Sequence, residues 1–132
     1  MNNYDKKIAV TASVLGAATI AIGAFGAHGL KKLVDAAAIS TFETGVRYQM
    51  YHIIVLLFLS FLGNLPSGLK RSVFWLFIFG ILLFSGSIYL LSLNSILPFD
   101  ATKIGFVTPI GGLLFIVGWL RLGYGIFTLK SV

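Results

Sequence analysis

The sequence predicts an all-α membrane protein, an antiparallel bundle of four transmembrane helices that forms one membrane domain over residues 1–132. The chain is 58% hydrophobic and 11% charged, with a mean hydropathy of +0.96, whereas soluble domains are about 45–50% apolar and about 25% charged. Four stretches contain no charged residue, namely 8–30, 48–69, 72–99 and 104–120. So short a chain lacks the polar surface to cover four such stretches in water, and lipid must therefore solvate most of the protein.

This composition excludes a soluble enzyme, a disordered linker and a secreted disulfide scaffold. Because the sequence has no cysteine, it forms no disulfide and offers no thiolate for a metal or for catalysis. The net charge is +6, but the basic residues are scattered near the ends of the apolar runs and match no nucleic-acid motif. We interpret them as flanking charges that orient helices and contact anionic lipid. We expect membrane lipid as a partner and no nucleic acid.

The first two helices are predicted over residues 8–27 and 40–62. The second is apolar only from about Met50, which is too short for a span of about 20 residues, so the helix must extend upstream. Ser40-Thr41-Phe42-Glu43 matches a capping box that would begin it, and Asp35 is a competing start. The turn cluster over residues 63–68 ends it.

The last two helices are predicted over residues 73–93 and 106–127. Asn94 and Pro98 end the third helix. Thr108 and Pro109 could cap and open the fourth, since proline is tolerated in the first helical turn. The chain is therefore expected to be multi-pass.

Four spans place both termini on one side of the membrane. That side would carry six basic residues, which are Lys6, Lys7, Lys70, Arg71, Arg121 and Lys130. The opposite side would carry four, which are Lys31, Lys32, Arg47 and Lys103. The positive-inside rule then predicts cytoplasmic termini in a bacterial plasma (inner) membrane. Trp75 and Trp119 fall near the same interface, as an aromatic belt would place them.

Small residues recur along the first and fourth helices. The first helix has a stripe at steps of four, Ala9, Ser13, Ala17 and Ala21, together with the Ala12–Gly16 and Gly23–Ala27 pairs. Such faces let two helix backbones approach closely in lipid. They indicate either a homo-oligomer face or packing within the bundle, and we favour packing within the bundle.

The second helix holds the most concentrated polar chemistry. Gln49 and His52 share one helix face and are expected in the outer part of the membrane, where lipid cannot satisfy their hydrogen bonds, so this face should turn inward. Glu43 and Arg47 form an i,i+4 pair in the favourable order. The candidate polar cluster comprises His28, Glu43, Arg47, Tyr48, Gln49 and His52.

Three roles are open to this cluster. The spacing matches no HExxH-type metal site, and we predict no metal, no cofactor and no catalytic residue. A proton relay is conceivable because histidine titrates near neutral pH. We favour a structural role, in which the polar side chains form hydrogen bonds between helices.

Arg121 interrupts the fourth helix near its end. Its long side chain can reach the interface, which is the interpretation we favour. The alternative is a contact with a lipid phosphate.

Two motifs are distinctive in combination: residues 23–30, GAFGAHGL, and residues 42–52, FETGVRYQMYH. On these motifs the chain closely resembles, over nearly its whole length, the YgdD/YwdK-like family of small bacterial inner-membrane proteins, a domain-of-unknown-function family with animal transmembrane-protein relatives. The resemblance implies a multi-span membrane protein with no established enzymatic activity. It implies that the family signature includes Gly26, His28, Gly29, Gly45, Tyr48, Gln49 and His52, and it supplies no role for them.

The function that these observations favour is that of a non-enzymatic integral membrane protein of unknown molecular role. It would act through helix packing with itself, with lipid or with a partner protein. The alternative is a small transporter or channel that uses the polar face of the second helix, with Gln49 and His52.

Overall fold

The computed structural model describes residues 1–130 and is helical almost throughout. Its α-helices are α1 (Asn3–Ala27), α2 (Ala36–Phe61), α3 (Ser67–Gly80), α4 (Gly86–Ser92) and α5 (Val107–Phe127). A π-helical turn at Ile81–Ser85 joins α3 and α4 into one continuous helix. Short 3-10 turns occupy Leu30–Lys32, Asn94–Ile96 and Ala101–Ile104.

The helices form the predicted antiparallel four-helix bundle. Gly26 near the end of α1 lies against Phe42 near the start of α2, and Gly125 near the end of α5 lies against Leu69 near the start of α3. In the described part of the chain, three helical segments are long and apolar enough to cross a membrane, namely Asn3–Lys32, Ser67–Ser92 and Ala101–Phe127. The fourth member of the bundle is α2, whose first half is more polar.

Apolar side chains occupy both the core and the outside of the bundle. Ile8, Leu56, Val73 and Phe77 are completely buried where α1, α2 and α3 meet. Large apolar side chains are also exposed along α1, α2, α3 and α5, and Phe127 is 86% exposed. Exposed side chains of this kind are what a bundle solvated by lipid presents.

The starts of α1 and α2 differ from the predicted ones. α1 begins five residues earlier than predicted, because Asn2 caps it by accepting a hydrogen bond from the Asp5 amide at 2.8 Å. The capping box predicted at Ser40 is wrong: Asp35 caps α2 and accepts from the Ala38 amide at 2.8 Å. The three alanines at residues 36–38 are the strongest helix formers, so the helix propagates from the earlier cap.

The third helix begins at Ser67, directly after Pro66, and not at residue 73. α5 begins at Val107 without a side-chain cap. The hydroxyl of Thr108 instead lies 2.5 Å from the hydroxyl of Ser87 and joins α5 to α4. Asp100 caps the preceding 3-10 turn, and hydrogen bonds from the hydroxyl and the amide of Thr102 lower the pKa of this exposed carboxyl.

Glycines bring α5 into close contact with the continuous helix that α3, the π-helical turn and α4 form. Gly111, Gly118 and Gly125 recur at steps of seven and are buried. A Cβ atom at Gly111 would lie 2.3 Å from the backbone nitrogen of Phe84. A Cβ at Gly118 would lie 2.5 Å from the ring of Phe77. These glycines of the fourth predicted helix therefore serve packing within the bundle.

The small residues of α1 divide between two faces. Ala12 and Gly26 are buried, and Gly16 and Gly23 are half-buried against α2. From the predicted stripe, Ser13, Ala17 and Ala21 are exposed and Ala9 is half-buried. The close approach of α1 to α2 therefore uses a neighbouring row of small residues, and most of the predicted stripe faces away from the bundle.

Candidate functional site

Gln49 joins three helices through its side-chain amide. Its Nε2 donates to the Thr19 hydroxyl on α1 at 2.8 Å, and its Oε1 accepts from the Tyr89 hydroxyl on α4 at 2.7 Å. Gln49 is 5% exposed and Thr19 is 1% exposed. The Thr19 hydroxyl itself donates a hydrogen bond to the Leu15 carbonyl at 2.6 Å. The amide is therefore used on both sides, and it ties α2 to α1 and α4.

His52 uses both of its ring nitrogens. Nδ1 lies 2.6 Å from the Tyr48 carbonyl oxygen, and Nε2 lies 3.1 Å from the indole nitrogen of Trp119 on α5. A carbonyl only accepts and an indole N–H only donates. These partners fit the neutral tautomer that carries its proton on Nδ1, with Nε2 as the acceptor.

Aromatic rings enclose the imidazole. The ring of Phe115 stacks on it, with centroids 3.6 Å apart and planes 8° from parallel. Phe77 approaches edge-on with a centroid distance of 4.7 Å. His52 is 4% exposed, so its contacts lie with α3 and α5 inside the bundle.

Gln49 and His52 lie near the middle of α2, which spans Ala36–Phe61. Both side chains turn into the bundle, as the helix-face pattern predicted.

A further hydrogen bond joins α2 to the π-helical turn. The Ser85 hydroxyl is completely buried and donates to the Gly45 carbonyl at 2.7 Å. A Cβ atom at Gly45 would lie 2.8 Å from the ring of Tyr89, so only glycine lets the two helices approach this closely. A π-helical turn changes the register of the side chains that follow it, and in this turn the Ser85 hydroxyl meets the Gly45 carbonyl.

The predicted cluster of six residues divides in the structure. Only Gln49 and His52 are buried, while His28, Glu43 and Arg47 are exposed and Tyr48 is 41% exposed. Arg47 donates to the Thr44 hydroxyl at 3.3 Å. The predicted ion pair between Glu43 and Arg47 is wrong, because within residues 1–130 the structure has one ion pair, and it joins Lys70 and Asp5.

That ion pair is buried between the first turns of α1 and α3. Lys70 Nζ lies 2.8 Å from Asp5 Oδ1, and the two side chains are 2% and 6% exposed. The flanking-charge interpretation of Lys70 was wrong, because the side chain turns into the bundle to meet Asp5. Sequence reasoning missed the pair since the two residues are 65 positions apart.

Sequence reasoning also missed the partners of the polar face. Thr19, Ser85, Tyr89 and Trp119 lie in apolar stretches, where single polar residues carry little signal. The indole of Trp119, which was expected near the interface, donates to the imidazole of His52, and this contact was not predicted. Arg121 is half-buried, and no hydrogen bond or ion pair holds it within residues 1–130.

The chemistry available to this arrangement is the joining of helices. Within residues 1–130 no group of three or more His, Cys, Asp or Glu is placed to hold a metal ion. Gln49 bonds to Thr19 and Tyr89 on two other helices, and His52 bonds to Trp119 on a third and to the Tyr48 carbonyl of its own helix. Hydrogen bonds between membrane helices contribute about 0.6 kcal/mol each on average, so the set pins α2 at its centre to all of the other helices.

Comparison with known proteins gives consistent matches. The family described as "Protein of unknown function (DUF423)" matches residues 22–112. A UPF0382 membrane protein of Haemophilus influenzae is 42% identical over 86% of this chain and 87% of its own length. The UPF0382 membrane protein YwdK of Bacillus subtilis is 39% identical, over 78% and 81%. The UPF0382 inner membrane protein YgdD of Escherichia coli is 34% identical, over 92% and 89%. No solved structure matches the chain.

Proposed function

Because this chain belongs to the DUF423 family of UPF0382 membrane proteins, whose function is unknown, we propose from its site that it is a non-enzymatic protein that acts through its outer surface. The family resemblance predicted from the two motifs is confirmed, and so is the assignment as a membrane protein. The proposed action is packing against lipid, another copy of the chain or a partner protein.

The observation that carries this proposal is that each side-chain nitrogen and oxygen of Gln49 and His52 has a hydrogen-bond partner within the protein. The Gln49 amide is held between Thr19 and Tyr89. Both nitrogens of His52 have partners, and Phe115 covers its ring. A catalytic or transport group needs a donor or acceptor that a substrate can reach, and in this conformation Gln49 and His52 are 5% and 4% exposed and hydrogen-bonded to protein groups.

The outer surface supplies the second support. Large apolar side chains are exposed over most of the bundle, including Ile20, Phe58, Phe61 and Leu120. The small residues Ser13, Ala17 and Ala21 are exposed on α1. A face of small residues permits close approach of another helix, so α1 is the element on which we propose contact with a partner.

The proposed location is the bacterial inner membrane with both termini in the cytoplasm. The Escherichia coli relative is named an inner membrane protein, which supports the inner membrane for this chain. The six-to-four distribution of Lys and Arg between the two ends supports the orientation. With Lys70 buried against Asp5, five of the six basic side chains at the end that holds the start of α1 form no ion pair within residues 1–130, so the bias persists but is smaller.

A flux assay on reconstituted vesicles tests the proposed function. We expect proton and monovalent-cation flux through vesicles that contain the folded protein to equal the flux through protein-free vesicles. Saturable flux that disappears in His52→Ala, with the fold retained, would overturn the proposal and favour a transporter or channel that uses Gln49 and His52. The melting temperature of each variant in detergent provides the control for folding.

A further inference from the structure

An open groove of about 720 Å³ lies between the first turns of α1 and the middle of α3. Lys6, Lys7 and Val10 line its α1 side, and Phe74 and Trp75 line its α3 side. The volume is in the range of about 300–1,000 Å³ that is common for small-molecule sites. The groove opens on the outside of the bundle, where lipid is the solvent.

The charges beside this groove are basic and unpaired. Asp5 is committed to Lys70 at 2.8 Å. Within residues 1–130, therefore, no carboxylate lies within ion-pair distance of Lys6, Lys7 or Arg71. Lys6 and Lys7 are exposed, and the Arg71 guanidinium lies 5.0 Å from the ring centre of Tyr4 next to them.

The groove changes from a charged rim to a mainly apolar lining with depth, with Thr11 as a polar side chain below the lysines. Lys6 and Lys7 lie in the first two turns of α1, at the level expected for lipid headgroups. Val10 lies about one turn deeper, at 1.5 Å of rise per residue, and is 56% exposed. Trp75 is 48% exposed, and tryptophan favours the boundary between headgroups and hydrocarbon.

We propose, building on the surface role proposed above, that this groove binds one phospholipid with an anionic headgroup. Lys6 and Lys7 would hold the headgroup phosphate and its negative charge, and an acyl chain would lie along Val10, Phe74 and Trp75. Phospholipid is the occupant we favour because free phosphate would use only the basic rim, whereas the groove continues below it with apolar walls.

Native mass spectrometry of the detergent-purified protein tests this site. The protein is mixed with equal amounts of phosphatidylglycerol and phosphatidylcholine that have identical acyl chains. We expect preferential retention of phosphatidylglycerol. In Lys6→Gln/Lys7→Gln the preference should fall by about fivefold for each lysine removed, because a basic residue near an anionic surface contributes about 1 kcal/mol.

The chain contains a matched control at the other end of the same helical segment. Lys31 and Lys32 are also adjacent, exposed lysines, so Lys31→Gln/Lys32→Gln changes the net charge equally and should keep the preference. Val10→Trp fills the groove without changing a charge and should lower the retention of both lipids. An unchanged preference in the Lys6→Gln/Lys7→Gln protein, or an equal loss in the control, would overturn the proposal.

Two further outcomes would also overturn it. Displacement of phosphatidylglycerol by soluble glycerol phosphate would indicate a phosphate site that makes no use of the apolar walls. A dimer mass that Val10→Trp abolishes would indicate that a second copy covers the groove. If the protein shows no lipid preference and its vesicles show no flux above the protein-free level, the lipid site is overturned but the proposed function is not. Saturable flux would overturn the proposed function.

Discussion

The indole nitrogen of Trp119 donates a hydrogen bond to Nε2 of His52 across 3.1 Å and joins α5 to α2 inside the bundle. The ring of Phe115, one turn earlier on α5, stacks on the same imidazole at 3.6 Å. α5 therefore holds His52 by an edge contact and a face contact together. In this arrangement the histidine is an anchor between helices.

Replacing Trp119 with phenylalanine should destabilise the protein. The variant keeps an aromatic ring but leaves the Nε2 lone pair of His52 without its donor. We expect a loss of about 0.6 kcal/mol, and at most about 1.7 kcal/mol, which is the range for hydrogen bonds between membrane helices. Trp75→Phe is the control, because Trp75 is equally exposed and makes no side-chain hydrogen bond within residues 1–130. Equal melting temperatures for the two variants in detergent would contradict the anchor role.

Gln49→Leu should cost more than the loss of a single hydrogen bond. It removes the acceptor of Tyr89 and the donor to Thr19, so we expect about 1 kcal/mol, from two bonds of about 0.6 kcal/mol each. Gln49→Glu should cost more still, because a charge would have to be kept in a medium of low dielectric constant. The melting temperatures should follow the order wild type, Gln49→Leu, Gln49→Glu. An inverted order of the two variants would argue against this account.

Gly111→Ala should disrupt the contact between α5 and the third helix. The added Cβ would lie 2.3 Å from the backbone nitrogen of Phe84, and backbone atoms cannot rotate away as a side chain can. Overpacking typically costs about 1–3 kcal/mol, and a clash with backbone should reach the upper part of that range. Gly123→Ala on the same helix meets nothing within 4 Å and should melt at or above the wild-type temperature, because alanine is the better helix former. Tolerance of both substitutions would mean that α5 does not pack as described.

Lys70→Met should be among the most damaging substitutions at the end of the bundle where α1 begins. It leaves the Asp5 carboxylate buried without its partner, which costs about 3–5 kcal/mol for a buried pair. Asp5→Leu/Lys70→Met removes both charges and should recover most of that loss, since apolar replacement of a whole buried pair is often close to neutral. Urea titration of the single and double variants measures the coupling between the two residues. Additive losses would show that the pair is not energetically coupled.

Single cysteines test the orientation, since the natural chain has none. Ser67 is the first residue of α3, at the end of the bundle where α1 begins, and Ser95 follows α4 at the other end; both are exposed. With cytoplasmic termini, an impermeant thiol reagent added to intact cells should label Ser95→Cys and leave Ser67→Cys unlabelled. Labelling of Ser67→Cys alone would show the opposite orientation, and labelling of both variants would indicate dual topology.

The predicted helices and the inward face of α2 follow from patterns that are local in the chain. Gln49 and His52 lie three residues apart and share a face in any α-helix, and lipid cannot satisfy their hydrogen bonds, so burial was predictable. The start of α2 was harder to predict than its buried face, because Asp35 and Ser40 are both good N-cap residues. The choice between them depended on whether the alanines between them would join the helix.

The sequence by itself determined that the chain is a membrane-embedded bundle of helices, because long uncharged stretches have no stable alternative to lipid as their solvent. Only the tertiary structure decided which polar groups are partners. Thr19 meets Gln49, Trp119 meets His52, and Lys70 meets Asp5 across separations of 30, 67 and 65 residues. These pairings depend on the rotation and depth of each helix, which are set by glycine contacts such as Gly111 on Phe84 and by the π-helical turn at Ile81–Ser85. The hydrophobic pattern carries no information on the rotation and depth of each helix, because lipid accepts an apolar helix face in any rotation.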